Sequence, residues 1–260
     1  PLGPPVADPS PARSPDRGTV LEGKYVALEP LDADKHAAGL YAALCEYPAR
    51  IASSAGNAYL PVGPFASREE FTRQMQAYSP SRDPFFYAVV TRRDIVTQDN
   101  GSATPTTAIK TPAGSPVGWL SLLNVETAHQ SLEVGHVAFS PVLQRTVAST
   151  EALYLVIRHA FEALGNRRVE WKCDVLNAPS RRAAERLGMS FEGVFRKHRI
   201  VRGRNRDTRW YSVVDDEWFG RVGDGEGRGR GGLRAGFEEW LRDDNFGEDG
   251  VQKRTLEQVR

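Results

Sequence analysis

The chain of 260 residues predicts one α/β (α+β) domain, a mixed, largely antiparallel twisted sheet flanked by helices. Three observations lead there. From residue 132 onward, strand-like and helix-like periodicities alternate, a pattern that covers a sheet with helices. Residues 150–164 place Ala152, Leu153, Val156, Ile157, Ala160, Phe161 and Leu164 on one helical face. Two long strands, Phe191–Val201 and Thr208–Asp215, flank the turn Arg202-Gly203-Arg204-Asn205, the pattern of an antiparallel pair. No internal repeat is visible.

Taken in order, residues 1–18 are Pro-rich and nearly free of large apolar side chains, which predicts disorder. Order is expected to begin with the alternating strand Leu21–Leu28. Asp32 reads as the N-cap of a helix running through Leu44, and Ser67-Arg68-Glu69-Glu70 as a capping box opening a second helix to Tyr78. Pro84–Val90 is a strand. Residues 92–115, rich in Thr, Ser, Gly, Asn, Asp and Pro, read as an inserted, mobile hairpin excursion before the strand resumes at Pro116–Leu123. Strand 132–139, helix 150–164, strand 168–175 and helix 178–187 follow, then the two long strands. Leu233, Phe237, Trp240 and Leu241 predict a last amphipathic helix. The domain is therefore expected over 19–242, with a loose, charged tail over 243–260.

Composition excludes several classes. A formal net charge of +1 argues against a dedicated nucleic-acid binder. Cys45 and Cys173 lie far apart and form no metal-ligand spacing, so neither a disulfide framework nor a metal site is expected. A reducing, cytoplasmic compartment fits best. No apolar run reaches the length of a bilayer span.

Chemistry concentrates in Glu133–Glu151, EVGHVAFSPVLQRTVASTE. A strand ends at Ser140-Pro141, and a loop of small polar residues, Gln144 to Thr150, runs straight into a helix. Such a junction aims unpaired backbone N–H groups at one point and makes an anion site, for which phosphate or pyrophosphate is the natural ligand. An ordinary helix N-terminus is the plain alternative.

This strand, Gln-Arg-x-x-small-x and helix arrangement resembles the acetyl-coenzyme A loop of GNAT-type N-acetyltransferases. Asn177-Ala178-Pro179-Ser180 to Leu187-Gly188-Met189 resembles the next helix of the RimJ/RimL-like branch. Tyr59-Leu60-Pro61, Gly63-Pro64-Phe65, Gly118-Trp119 and Gly203 to Ser212 match in the same order, so the likeness spans about Leu21 to Leu241. It implies an acetyl-coenzyme A-dependent transferase in which a bound primary amine attacks the thioester directly. The acceptor would be a small molecule, an amino acid or a protein N-terminus, and the protein a monomer or homodimer. Neither cysteine sits in a nucleophile motif.

By the same resemblance, Gln144, Arg145, Thr146, Val147, Ala148, Ser149 and Thr150 would cradle the coenzyme A pyrophosphate. Val147 and Ser149 stand where glycines are common, and a β-branched residue does not readily take positive φ. Val137, Ala138 and Phe139 would offer backbone groups to the acetyl carbonyl and pantetheine where this strand splays from its neighbour. Glu133 and His136 are the candidate bases, and the resemblance favours the glutamate. Alternation puts them on opposite faces, so both could face a cleft only across a bulge. Their plain alternatives are a strand-end carboxylate and a sheet histidine. Asn177 would contact pantetheine or cap its helix, Ser180 would serve the leaving sulfur, and Arg182 would meet the ribose phosphate. Tyr59, Phe65, Trp119 and Tyr211 are candidate walls of an acceptor pocket, although aromatics are more often core. The basic run His198–Arg209 reads as a solvated hairpin with internal Arg–Asp pairing. Two other functions remain open: an inactive acyl-coenzyme A sensor or scaffold, and an RNA- or ribosome-associated protein using the basic hairpin.

Overall fold

The computed structural model describes residues 2–46, 59, 62–97, 109–221, 231–247 and 251–260. An eight-stranded sheet organises it: β1 (Leu21–Glu22), β2 (Val26–Pro30), β3 (Phe85–Thr91), β6 (Pro116–Glu126), β7 (Ser131–Phe139), β8 (Arg168–Asp174), β10 (Arg204–Val214) and β9 (Ser190–Val201) lie side by side in that order. Every neighbouring pair is antiparallel except β7 and β8. A separate two-stranded hairpin, β4 (Ile95–Thr97) with β5 (Ile109–Thr111), fills the ends of the predicted excursion. The centre of that excursion lies outside the described residues.

The apolar run of β3 shows how the layers form. Phe85, Tyr87 and Val89 face one core and Phe86, Ala88 and Val90 the other, which is the period of two expected of a strand buried on both faces. Helices α1 (Ala33–Tyr41, continued by a π-turn over Ala42–Glu46) and α2 (Arg68–Tyr78) cover the second face. Both caps are those read from the sequence: Asp32 accepts from the N–H groups of Asp34 and Lys35, and Ser67 from Glu70. The first face is covered by α3 (Val147–Arg158, extended by a π-turn over His159–Ala163), α4 (Ala178–Arg186), α5 (Asp215–Phe219) and α6 (Gly232–Trp240).

Four segments differ from the sequence reading. The expected strand Leu21–Leu28 is two short strands. Between them the N–H groups of Lys24, Tyr25 and Val26 donate to the buried Glu151 carboxylate at 2.7, 2.6 and 2.9 Å. Gly23 is needed there, because a Cβ would lie 2.5 Å from Glu151 Oε2. The Pro-rich segment forms no helix or strand but is held to the domain. Gln130 Nε2 donates to the carbonyls of Asp8 and Ser10 (2.7 and 2.6 Å), Ala12 N donates to Thr127, and Arg13 N to Leu164. The charged carboxyl-terminal segment also packs. Buried Asn245 bonds the backbone of Trp240 and Arg254, and Leu256, in the short helix α7 (Leu256–Val259), is fully buried. Lastly, α3 starts three residues earlier than its apolar stripe suggests, because Thr146 supplies the cap.

Candidate active site

The single parallel pair among the described residues opens the molecule. β7 and β8 pair only through Ser131↔Arg168, Leu132↔Val169 and Glu133↔Glu170, although β8 continues to Asp174 on its other neighbour. Beyond Glu133 the edge of β7 that includes Val137, Ala138 and Phe139 has no strand partner on this side among the described residues. On that edge Val137 and Phe139 face no strand across the cleft, whereas Ala138 faces β6 opposite Trp119, and polar groups left without a strand need a ligand or water. Gln144 Nε2 donates to the Phe139 carbonyl at 2.7 Å and closes the strand's end.

The cleft ends over the first turn of α3. Ser140 N still donates to Val117, and the carbonyl of Ser140 accepts from Leu143 and Gln144. After that turn the N–H groups of Arg145, Thr146, Val147 and Ala148 have no partner among the described residues. Ser149 N is held by Thr146 Oγ1 at 3.2 Å, and Ser149 Oγ donates back to the Thr146 carbonyl at 2.7 Å. The reversal that glycine was expected to supply falls elsewhere, on Arg145 at φ +61°, while Val147 is simply the first helical residue. A β-branched side chain at 147 is therefore no obstacle. Thr150 is buried and accepts from Arg186 Nη1 at 2.9 Å.

A bulge sits in the unpaired stretch of β7. Trp119 pairs with Ala138 but Ser121 with Gly135, so β7 carries one extra residue, and His136 takes φ +47°. Leu132 and Val134 pack into the α3-side core, joined at its margin by Val137 and Phe139, while Ala138 packs under α1 and α2. His136 turns to that second face, its ring stacked on Phe86 at 5.5 Å between centroids. Its Nδ1 lies 3.0 Å from Ser121 Oγ, whose hydroxyl donates to the Gly135 carbonyl at 3.1 Å. With that proton spent, Nδ1–H donates to Ser121 and Nε2 keeps its lone pair. Burial, then the charges of Arg199 and Arg206, hold the imidazole below its ordinary pKa.

Glu133 is otherwise occupied. It is buried, accepts from Asn124 Nδ2 at 2.6 Å and pairs with Lys172 Nζ at 2.9 Å. Lys172 also meets Glu170 at 2.8 Å and lies 4.0 Å from the centre of the Trp210 ring.

Across the cleft, Asn177 caps α4, its Oδ1 accepting from Ser180 N at 3.1 Å. Ser180 Oγ accepts from Trp171 Nε1 at 2.9 Å, so its hydroxyl proton serves a further acceptor, and the Cys173 sulfur is one within its reach. Arg182 is exposed. The neighbouring Cys173 is buried, and that burial raises its thiol pKa, partly offset by Ser180. Cys45 is exposed at its surface, and partial desolvation and the Glu46 charge push its thiol up to about 11. Neither thiol is poised as a nucleophile.

Of the aromatic candidates, Phe65 and Trp119 join the face of His136: Phe65 meets Phe71 edge-on at 5.0 Å, and Phe71 leads to Trp119 at 6.0 Å. Tyr59 donates to the Leu176 carbonyl at 3.1 Å, just past the end of β8. Tyr211 is fully buried in the opposite core, its hydroxyl on Glu185 at 3.2 Å. The Arg–Asp pairing read into the basic hairpin is not made among the described residues. Asp207 accepts instead from Lys197 N and Asn205 Nδ2 at 2.7 and 3.0 Å. Ser121 and Arg186 escaped the sequence reading. Ser121 is one serine in an apolar strand, and only the bulge brings His136 to it.

A strand that leaves its parallel neighbour above a helix N-terminus defines the class. The chain belongs to the acetyltransferase (GNAT) domain family, whose model matches residues 26–190. It is similar to a GCN5-related N-acetyltransferase from Brucella melitensis, 37% identical, with 96% of this chain and 97% of that one covered and a TM-score of 0.79. It is also 33% identical over 107 residues to "Putative ribosomal N-acetyltransferase YdaF" of Bacillus subtilis; the match covers 41% of this chain and 58% of that protein. The fold, at a TM-score of 0.55 and 16% identity, is that of RimL, a ribosomal L7/L12 α-N-protein acetyltransferase in complex with coenzyme A; 76% of this chain and 99% of that one are covered. No helix among the described residues is long and apolar enough to cross a membrane.

Proposed function

We propose that the protein transfers an acetyl group from acetyl-coenzyme A to a primary amine by direct attack. The observation that carries this reading is the end of β7–β8 pairing at Glu133↔Glu170 on the strand that leads, through the Ser140–Gln144 turn, to the partnerless N–H groups of Arg145 to Ala148. A diphosphate fits that turn, since four N–H groups and a helix N-terminus offer donors and a positive dipole end. The fully buried Ser140 Oγ at its base has no partner among the described residues. Arg145 adds an exposed charge, and Gln144, Thr146, Ser149 and Thr150 shape the turn. Coenzyme A supplies an activated acetyl thioester.

The chain's own residues then do the following. Val137 and Phe139 orient the thioester arm from the edge that β8 leaves, an N–H there polarising the carbonyl, with Ala138 paired to β6 between them. Asn177 fixes the start of α4, and Ser180 turns its hydroxyl proton toward the departing sulfur. His136 Nε2 takes the proton of the incoming ammonium, directly or through one water. Its lowered pKa keeps it unprotonated at neutral pH. Glu133, tied to Lys172, is the poorer base and holds the sheet together. Phe65 and Trp119 wall the amine side, with Tyr59 at the mouth.

Incubation of the purified protein with acetyl-coenzyme A and a panel of primary amines tests the reading through release of free thiol. Amine-dependent release is expected. Thermal stabilisation by acetyl-coenzyme A with no thiol release for any amine would make the protein a binding module instead.

A further inference from the structure

The hairpin β9–β10 sets Arg199 directly opposite Arg206 as Cα partners. Directly opposed residues share a face, with Cβ atoms about 5 Å apart, and like charges so placed destabilise a sheet. Nothing on the hairpin offsets this. Its single acidic residue between 194 and 209, Asp207, is spent on Lys197 N and Asn205 Nδ2. Neither arginine makes an ion pair among the described residues. Arg206 Nε is buried without a hydrogen-bond partner, and a buried guanidinium donor left unmade is costly. Arg206 shares the face of β10 with Trp210, whose ring lies under Lys172, the partner of Glu133, so the pair stands on the His136 face of the sheet.

We infer that Arg199 and Arg206 form a carboxylate site that selects acceptor amines bearing an acid group close to the reacting nitrogen. The inference rests on the acetyl-transfer reading above and names the class of its acceptor. A carboxylate between the two guanidinium groups turns a repulsive pair into a clamp, takes up the orphan Arg206 donor and leaves the amine toward His136. Two sources carry this chemistry: the α-carboxylate of a free amino acid, and the acidic side chain of a peptide next to its amino terminus.

The test compares each acid with its neutral amide. One arm uses glycine and glycinamide; the other uses peptides beginning Ser-Glu and Ser-Gln. Thiol release gives kcat and KM, and calorimetry on the coenzyme A-loaded protein gives binding. The acid of at least one pair is expected to exceed its amide about tenfold or more in kcat/KM, as one charge-assisted contact allows. The arm that discriminates identifies the source. Arg199→Gln and Arg206→Gln should abolish the preference by raising KM for the acid, with KM for acetyl-coenzyme A unchanged. Arg204→Gln, at the hairpin tip, should keep it. Turnover without discrimination in either pair would overturn the carboxylate site and leave acetyl transfer standing. Acid-selective binding that Arg206→Gln removes, with no turnover, would sustain the site and overturn acetyl transfer. A raised KM for acetyl-coenzyme A in either variant would assign the pair to the cofactor and end the inference. Neither binding nor turnover would end both.

Discussion

His136 and Glu133 point from the same face of β7, although they stand three positions apart, because the bulge at His136 inserts one residue against Trp119–Ser121. Unbroken alternation would oppose them. The shared face gives the cleft two candidate bases and then divides their work, since Lys172 and Asn124 hold the carboxylate while the imidazole keeps a free nitrogen.

From that division, His136→Gln is expected to lower kcat by about 10² or more, the usual worth of a positioned base. Glu133→Gln should keep kcat within about threefold but lower stability by about 1–3 kcal/mol, since a buried cation loses one of two partners. Steady-state rates and denaturant melts separate the two. The reverse pattern, with Glu133→Gln inactive and His136→Gln active, would exchange their roles.

The pH profile follows the same residue. Burial, Arg199 and Arg206 all favour neutral imidazole, so the folded pKa lies below the ordinary value of 6.5. In the proposed mechanism the unprotonated form is the working one. Activity is therefore full above that folded pKa and is lost as pH falls through it. Arg199→Gln removes one positive neighbour and should move the acid limb to higher pH. Comparing kcat/KM profiles of the two proteins with one amine cancels the titration of the amine itself. An unmoved limb would detach His136 from the rate.

At the loop, Ser149→Glu sets a carboxylate at the third residue of α3, where a bound diphosphate would have to sit. Coenzyme A affinity should fall at least about 100-fold, from lost donors and direct repulsion. The helix itself should tolerate the change, because an acid in the first turn suits its dipole. Unchanged affinity by calorimetry, with an unchanged melting temperature, would move the diphosphate off this loop.

Much of this was legible in the chain, and for particular reasons. Asp32, Ser67 and Asn177 announce their helices because capping is a local interaction. The Gln144–Thr150 junction is visible because strand and helix periods meet there. The bulge was not, since it depends on register against β6, and no residue between Gly135 and Ala138 signals it. The packed carboxyl-terminal segment was hidden for a similar reason: its charges dominate the composition, while a single buried asparagine, Asn245, organises its backbone. The split of β1 from β2 rests on Glu151, 125 residues away from Val26. The Arg199–Arg206 opposition was within reach, because counting outward from the turn at Arg202-Gly203 pairs them.

Glu151→Ala measures that long-range tie. The substitution strips three backbone N–H groups of a common acceptor, in a site buried at Val26 and part-buried at Lys24 and Tyr25. At about 1 kcal/mol or more for each unsatisfied donor, the loss should be on the order of 3 kcal/mol. A melt that shifts by less than a third of that would mean water replaces the carboxylate freely.

Ser180→Ala separates chemistry from architecture at the start of α4. The serine hydroxyl accepts the Trp171 indole N–H, so its removal leaves a half-buried donor unpaired and should lower stability by about 1 kcal/mol. That much follows from packing alone. If the hydroxyl proton also serves the departing sulfur, kcat falls by about tenfold or more while KM for acetyl-coenzyme A stays near its wild-type value, because the interaction strengthens only as charge develops on sulfur. Ser180→Thr, which restores a hydroxyl, should recover part of that rate. A variant with wild-type kcat and a lower melting temperature would reduce Ser180 to a partner of Trp171. A parallel loss of coenzyme A affinity would place it in binding, beside Asn177, rather than at the sulfur.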